Sequence, residues 1–322
     1  MQTNKQLELA FNFIQYTGQN IFLTGKAGTG KTTFLKNLKE RSPKRMIVVA
    51  PTGVAAINAG GVTIHSFFQL SFAPQIGKER EQISQMRFNK EKINIIRSLD
   101  LLVIDEISMV RADVLDAIDR VLRRFKNRAK PFGGTQLLMI GDLQQLAPVI
   151  KNEEWGLLKR EYETVYFFSS KVLKQTSYIS IELLHVFRQQ DDLFISILNK
   201  IRDNKLDKEA FDSLNKRYIP DFQPGDEDGY ITLCTHNIQA DRINKSKLRS
   251  IYSNEQTFSA EIDGKFPEYA YPTEFNLKLK VGAQVMFIKN DPNPDKLFYN
   301  GKIGKVTEIE DDVVRVLCPG ES

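Results

Sequence analysis

The chain has few cysteines, no long apolar run and no apolar segment at its start. It contains only two cysteines, Cys234 and Cys318, which form no C-x-x-C pair and have no histidine pair nearby. A disulfide framework or a zinc site is therefore not expected, and a reducing compartment fits better. No apolar stretch approaches the roughly 18 residues that a membrane-spanning helix needs, and the opening residues MQTNKQLELA lack the apolar core of a secretory signal. We therefore expect a soluble intracellular protein, in the cytoplasm of a prokaryote or in the nucleus or mitochondrion of a eukaryote.

The composition is that of an ordinary globular protein with a mildly basic balance. Hydrophobic residues make up 41% and charged residues 26% of 322 residues, and the net charge is +5. A chain of this length has room for two domains. The positive charge permits a polyanionic partner without requiring one.

The strongest motif is a glycine-rich loop between a short apolar run at residues 21–23 and a helix predicted from Thr32 onward. It has the spacing G-x-x-x-x-G-K-[ST], in which backbone N–H groups point at phosphate oxygens and the lysine reaches the outer phosphates. The threonine hydroxyl is suited to hold Mg²⁺. The pattern predicts an ATP and Mg²⁺ site, and the residues assigned to the nucleotide are Gly25, Ala27, Gly28, Thr29, Gly30, Lys31, Thr32 and Thr33.

Two adjacent carboxylates, Asp105 and Glu106, end the apolar run LLVIDE. Such a run indicates a buried strand of a parallel sheet, and open α/β sheets bind their ligands at the carboxyl ends of strands. Together with Thr32, Asp105 is expected to hold Mg²⁺, and Glu106 to orient or deprotonate an attacking water. This pair favours hydrolysis over phosphate transfer, although a strand that simply ends in solvated acids gives the same pattern.

Two further strands end in polar residues. Residues 46–50 lead to Pro51 and to Thr52, a good helix N-cap, and an exposed helix N-terminus suits a nucleic-acid phosphate. Thr63, His65 and Ser66 alternate with apolar residues, which predicts an extended segment with polar groups along one side. The aromatic residues that follow, at 67 and 68, can stack on a base but more often belong to a core.

Residues 136–140 form another predicted strand, and Gln145 beyond it can reach a γ-phosphate, although an exposed loop residue gives the same pattern. Before this strand, arginines alternate with acids at helical spacing, which predicts a solvated, salt-bridged face. The acids are Asp113, Asp116 and Asp119, and the arginines are Arg120, Arg123 and Arg124.

The composition shifts after Lys174. A second apolar strand group opens there, a further strand ends in Thr235, His236 and Asn237, and the last part alternates with period two as short antiparallel strands do. Two stacked α/β units with a nucleotide between them need a cation from the second unit, and Arg188 is the leading candidate, although a surface arginine fits its position too.

Taken together, these motifs resemble the PIF-one branch of superfamily-one DNA helicases, which are relatives of the RecD subunit. The matching segments occur in the family's order along nearly the whole chain: GKAGTGKT, APTGVAA, GGVTIHSFF, VIDEISMV, KPFGGTQLLMIGDLQQLAPV, ELLHVFRQ, LKVGAQVMFIKN and NGKIGKV. The resemblance implies an ATP-driven motor that moves 5′ to 3′ on single-stranded DNA and separates forked or structured duplexes, and we expect a monomer.

The resemblance also implies an α/β fold with two RecA-like P-loop motor domains and a small SH3-like β-barrel insertion. We expect the first domain at residues 1–175, with a small insertion near 66–80, the first part of the second at 176–255, and the start of the β insertion at 256–322. The family's later glutamine-glycine and serine-arginine motifs are not found before Ser322, so the second domain is expected to be incomplete.

The same resemblance assigns roles to individual residues. It implies that Gln6 reads the adenine, that Gln145 senses the γ-phosphate and that Arg188 is an arginine finger. The residues that it places on the DNA strand are Pro51, Thr52, Thr63, His65, Phe67, Thr235, His236 and Asn237.

Two other functions remain open from the sequence. One is a small-molecule P-loop kinase or NTPase, for which turnover would be independent of DNA. The other is a fragment that binds ATP and single-stranded DNA without unwinding duplex.

Overall fold

A computed structural model describes most of the chain. The described residues are 5–26, 28–77, 83, 86–185, 191–223, 225, 230–262, 273–288, 291, 297–298, 301–311 and 313–318. The chain divides into two compact units, Met1–Leu214 and Asn215–Ser322.

The first unit is built on a six-stranded parallel sheet. Its strands lie in the order β3-β2-β4-β5-β1-β6. They are β1 (Asn20–Gly25), β2 (Met46–Ala50), β3 (Val62–Thr63), β4 (Leu101–Ile104), β5 (Gln136–Gly141) and β6 (Tyr178–Leu183). Every residue of β4 and β5 is buried, because helices cover both faces of a parallel sheet. The predicted α/β class and the four strands that precede the candidate site residues are confirmed.

Helices connect and flank these strands. They are α1 (Lys5–Tyr16), α2 (Lys31–Arg41), α3 (Gly53–Asn58), α4 (Ile64–Phe68), α5 (Lys90–Ser98), α6 (Ala112–Phe125), α7 (Asn152–Leu158), α8 (Asp192–Arg202) and α9 (Lys208–Asn215). Among the described residues, no helix is long and apolar enough to cross a membrane.

Two hydrophobic cores lie on the two faces of the sheet. Leu102 and Ile104 of β4 belong to the core that α6 covers, whereas Leu101 and Val103 belong to the core that α1 and α2 cover. Alternate residues of one strand thus face opposite layers, as the period of a β-strand requires. Because all six strands are parallel, their carboxyl ends lie at one edge of the sheet.

Strand β6 corrects the predicted position of the second strand group. The sequence placed it after a domain boundary at residue 175, but β6 pairs in parallel with β1 along its whole length. Its Ile181 and Leu183 are 5% and 0% exposed and complete the core beside α1 and α2. The composition changes here because β6 is an outer strand, half exposed on its other positions.

Helix α6 corrects the predicted solvated face. Asp113, Asp116 and Asp119 are 0%, 5% and 7% exposed. Asp116 accepts hydrogen bonds from the Tyr162 hydroxyl at 2.8 Å and from the Val172 backbone N–H at 2.9 Å. These acids are buried because they satisfy backbone and side-chain donors from loops that cross the helix.

The segment around His65 is helical rather than extended. Thr63 ends β3, and its hydroxyl accepts a 3.2 Å hydrogen bond from the Ser66 backbone N–H, which caps α4. Ile64, Phe67 and Phe68 are buried, and their i, i+3, i+4 spacing is that of one helix face. The alternation in the sequence was therefore misleading over so short a stretch.

The second unit contains one long helix and short antiparallel strands. They are α10 (Asn237–Ser250), the pair β7 (Glu255–Ser259) and β8 (Asn276–Lys280), and the sheet of β9 (Gln284–Met286), β10 (Ile303–Glu310) and β11 (Val313–Leu317). The antiparallel strands are confirmed. The strand predicted before Thr235 is wrong, since the described residues 230–236 form no strand and Ile231 and Leu233 are 62% and 89% exposed.

Candidate functional site

The glycine-rich loop joins β1 to α2 in a shape that requires glycine. Gly28 and Gly30 have φ angles of 78° and 91°, which side chains disfavour. A Cβ at Gly25 would lie 2.7 Å from the Leu183 backbone oxygen and 2.9 Å from Thr29 Oγ1. Thr29 is fully buried, and its hydroxyl donates to the Lys26 backbone oxygen at 2.8 Å. The loop is thus held by β6 and by its own backbone, in the form that cradles a phosphate chain.

Lys31 lies inside this loop. Its Nζ donates to the backbone oxygens of Gly25 at 2.5 Å and Lys26 at 2.9 Å. Burial lowers the pKa of Lys31, and the nearby carboxylates of Asp142, Glu106 and Asp105 act in the opposite direction. Three acids at the carboxyl ends of β4 and β5 therefore favour the charged form of this lysine.

Asp105 follows β4 directly and is partly buried. Its backbone N–H donates to the Val49 oxygen at 2.9 Å, and its Oδ1 accepts from the Glu106 backbone N–H at 3.0 Å. Burial raises the pKa of Asp105 to about 6, and the Glu106 charge contributes in the same direction. The neighbouring hydrogen bond and Lys31 oppose this rise without cancelling it.

Glu106 adopts a left-handed conformation, with φ 50° and ψ 45°. Such a conformation costs a non-glycine residue about 1 kcal/mol or more and occurs often at functional sites. The chain turns here into the single 3₁₀ turn Ile107–Met109. The two adjacent acids thus differ in backbone conformation, since Asp105 follows a strand and Glu106 lies in a tight turn.

The donor set fits a nucleotide-bound Mg²⁺. The hydroxyl of Thr32, in the first turn of α2, and the Asp105 carboxylate are hard oxygen ligands. Mg²⁺ keeps several waters and takes few protein ligands when phosphates supply the rest.

Gln145 is exposed and lies beyond β5, close to an acid that sequence reasoning missed. Its Nε2 donates to Asp142 Oδ2 at 3.2 Å, and Asp142 is 2% exposed. Arg202 of α8 donates from Nη1 to the same oxygen at 2.5 Å. An acid directly after the buried β5 was the available signal for Asp142, but nothing local indicated Arg202.

The first group of predicted DNA contacts lies at two helix starts of the first unit. Pro51 precedes Thr52, whose hydroxyl caps α3 by accepting from Ala55 N–H at 3.2 Å, as predicted. Burial lowers the pKa of His65 to about 4, and its ring stacks on Phe72 with centroids 4.4 Å apart. The ring of Phe67 is 7% exposed and packs edge-on against Phe68 in the core, and its contact with DNA stays a prediction.

The remaining predicted residues lie elsewhere. Gln6 is partly buried in α1. In the second unit, Thr235 Oγ1 and His236 Nδ1 are 2.9 Å apart, and Asn237 begins α10. Arg188 and Ala27 lie outside the described residues.

The chain is similar to known helicases. The PIF1-like helicase family matches residues 3–211. The ATP-dependent DNA helicase PIF1 of Candida albicans is 34% identical over 312 residues, which cover 92% of this chain and 33% of that protein. The chain therefore spans about a third of the length of this curated relative.

Similar solved structures align with the whole length of this chain. A Pif1 helicase from Bacteroides in complex with ADP-AlF3 and ssDNA is 41% identical, with a TM-score of 0.85 and 73% of that chain covered. A structure described as two coordinating Pif1 helicases at forked dsDNA is 42% identical, with a TM-score of 0.84 and 75% covered. The chain belongs to the PIF1-like helicase family.

Proposed function

We propose that this chain carries the ATP-hydrolysing machinery of a DNA helicase that moves 5′ to 3′ on single-stranded DNA and unwinds forked or structured duplex. The observation that carries the proposal is the glycine loop itself, in which Gly28 and Gly30 have positive φ angles, followed by Lys31, on which the charges of three strand-end acids act. A glycine-rich loop with a lysine at the start of the following helix suits polyphosphate, and carboxylates at neighbouring strand ends suit Mg²⁺ and water.

Each residue then has a distinct task in hydrolysis. Lys31 neutralises the outer phosphates, and the Thr32 hydroxyl and Asp105 carboxylate hold Mg²⁺, which would stabilise negative charge on the phosphates. Glu106 orients the attacking water and accepts its proton. Gln145 senses the γ-phosphate, Arg188 supplies a second cation, and Gln6 recognises the adenine.

Single-stranded DNA is the proposed track. Helix N-termini capped by Thr52 and Thr63 offer N–H groups to backbone phosphates. His65 is neutral at physiological pH because burial lowers its pKa to about 4, so its ring contributes hydrogen bonding and stacking rather than charge. We further propose that Thr235, His236 and Asn237 contact the DNA strand. Two RecA-like motor domains would enclose the nucleotide, and the antiparallel strands would belong to an SH3-like insertion. The protein would act as a monomer. The Bacteroides Pif1 with ADP-AlF3 and ssDNA supports the pairing of nucleotide and DNA.

An ATPase assay with and without single-stranded DNA tests the proposal. We expect DNA to stimulate hydrolysis in the parent chain, and Lys31→Ala to lower turnover about 100-fold or more because the cation facing the outer phosphates is lost. Lys36→Ala, at an exposed lysine on the same helix, is the matched control and should retain parental turnover. Turnover that ignores DNA but requires a small acceptor would instead indicate a P-loop kinase.

DNA binding is tested separately by fluorescence anisotropy at low and high salt. Contacts to phosphates release counterions, so the affinity for a single strand should fall steeply with salt and depend little on its sequence. His65→Ala should weaken binding without changing ATP affinity in the absence of DNA. Tyr16→Ala, at a 78% exposed residue of α1, serves as the control. Equal affinity at both salt concentrations would contradict the proposed track.

A further inference from the structure

The carboxylate of Asp142 is shared between the γ-phosphate sensor and a distant helix. Its Oδ1 accepts from the Gln144 backbone N–H at 3.1 Å. Its Oδ2 accepts from Gln145 Nε2 at 3.2 Å and from Arg202 Nη1 at 2.5 Å. Burial alone would raise the pKa of Asp142, but these hydrogen bonds outweigh it and hold the pKa below its usual value. The buried acid is therefore charged and depends on these donors.

Helix α8, which carries Arg202, is attached to the nucleotide site mainly by polar contacts. Among its described side chains only Ile197 is buried, at 6% exposure. Asn199 lies almost one turn before Arg202, and its Oδ1 accepts a 2.7 Å hydrogen bond from Lys26 Nζ in the glycine loop. The helix thus contacts the loop through Asn199 and the sensor segment through Arg202, with little apolar burial to hold it there otherwise.

The charge of Arg202 reaches the phosphate-binding lysine. Arg202 acts to lower the pKa of Lys31, whereas Asp142 is the strongest of the carboxylates acting to raise it. The side chain of Arg202 is 20% exposed and that of Asp142 is 2% exposed, so solvent screens this pair weakly. Breaking the ion pair between Arg202 and Asp142 would therefore change the electrostatic potential at Lys31.

We propose that Arg202 is a positioning residue that acts through Asp142 on Gln145 and so couples recognition of the γ-phosphate to the docking of α8. A buried carboxylate must be satisfied by donors. When Arg202 is paired with Asp142, Gln145 is free to exchange its 3.2 Å hydrogen bond for a phosphate oxygen. When Arg202 is absent, Asp142 holds Gln145 as its remaining side-chain donor, and the amide is withheld from the phosphate.

The coupling acts in both directions. If docking of α8 favours binding of the γ-phosphate, then the γ-phosphate favours docking of α8 by the same factor. The fraction of molecules in which α8 is docked would therefore be higher with a nucleoside triphosphate than with a diphosphate. This inference rests on the proposed function, since it requires that Gln145 meets the γ-phosphate.

The test compares the affinity for a non-hydrolysable ATP analogue with that for ADP, each with Mg²⁺, by calorimetry. For Arg202→Ala we expect about a ten-fold loss of affinity for the triphosphate and a change of less than two-fold for ADP. Gln145→Ala should give the same selective loss, and the double variant should lose no more than either single variant. Lys200→Ala, on the same helix but paired with Asp207 at 2.6 Å, is the matched control and should change neither affinity.

Arg202→Gln covers the case in which Arg202→Ala does not fold, because glutamine keeps an N–H donor and most of the side-chain length. It should reduce the preference for the triphosphate several-fold. An equal loss for both nucleotides, additive effects with Gln145→Ala, or an unchanged preference in a folded Arg202→Gln variant would overturn the inference. Failure of the proposed function has a different signature, since the parent would then bind neither nucleotide or Lys31→Ala would bind both normally.

Discussion

Asp105 provides a direct test of the site. A partly buried carboxylate that holds Mg²⁺ should destabilise the folded protein when no metal is bound. Burial raises its pKa to about 6 from the usual 3.8. Asp105→Asn removes the ionisable group but keeps an oxygen that can accept the 3.0 Å hydrogen bond from Glu106 N–H. We expect this variant to be more stable than the parent at pH 8 without nucleotide and Mg²⁺.

The size of the effect follows from the pKa difference. The folded state binds the proton of Asp105 more tightly than the unfolded state, so the stabilisation by that proton is complete below about pH 4 and is lost as the pH rises through 6. One pKa unit corresponds to about 1.4 kcal/mol, so the loss between pH 4 and 8 approaches about 3 kcal/mol. Asparagine does not titrate and avoids this loss. The advantage of Asp105→Asn should therefore grow between pH 5 and 8, to between about 1 and 3 kcal/mol.

Urea unfolding followed by the fluorescence of Trp155 measures this difference. Trp155 is the single tryptophan and lies in α7 of the first unit, so it reports on the domain that contains Asp105. Mg²⁺ and an ATP analogue should reverse the order, because they stabilise the parent by binding and the variant much less. An advantage that is the same at pH 5 and pH 8, or a variant less stable than the parent at pH 8, would refute the reasoning.

Three further substitutions test other parts of the molecule. Glu106→Gln should leave Mg-ATP binding nearly intact while single-turnover hydrolysis falls about 100-fold or more, since the amide cannot accept the proton of water; an equal loss of binding would assign Glu106 to the metal instead. Gly61→Ala should lower the free energy of unfolding by about 1–3 kcal/mol, because its Cβ would lie 2.2 Å from the Val48 oxygen, whereas Gly18→Ala, with nothing within 4 Å, should not destabilise. Asp116→Ala should cost about 3 kcal/mol in thermal or urea unfolding, since it leaves three donors without their acceptor, two of them buried.

Local sequence signals were sufficient to predict the conformation of a residue where that conformation depends only on the neighbouring residues in the chain. The glycine loop was predictable because its conformation requires glycine at fixed positions and its lysine follows in the first turn of a helix. The strands before Asp105 and Asp142 are wholly buried, so their apolar runs carried a clear signal. Thr52 was recognisable as an N-cap because capping is decided within four residues.

Contacts between segments far apart in the chain could not be predicted in this way. The acids of α6 have the spacing of an exposed face, yet Asp113 accepts from Gln75 N–H and Asp116 from Val172 N–H, at separations of 38 and 56 residues. Nothing in the helix itself reveals that loops will bring donors to it. The same holds for β6, since its pairing with β1 joins residues more than 150 positions apart.

The pairing of Asp142 with Arg202 shows why such contacts matter for function. The two residues are 60 positions apart, and each has an ordinary local interpretation, as a strand-end acid and as a basic residue in the last turn of a helix. Only the fold brings them together, next to a lysine whose role the sequence did predict. Residues that touch the nucleotide are constrained by local geometry and leave motifs, whereas residues that position them are constrained by the whole fold. The regulation of a site such as this one is therefore to be sought in its buried ion pairs, beginning with Arg202 and Asp142.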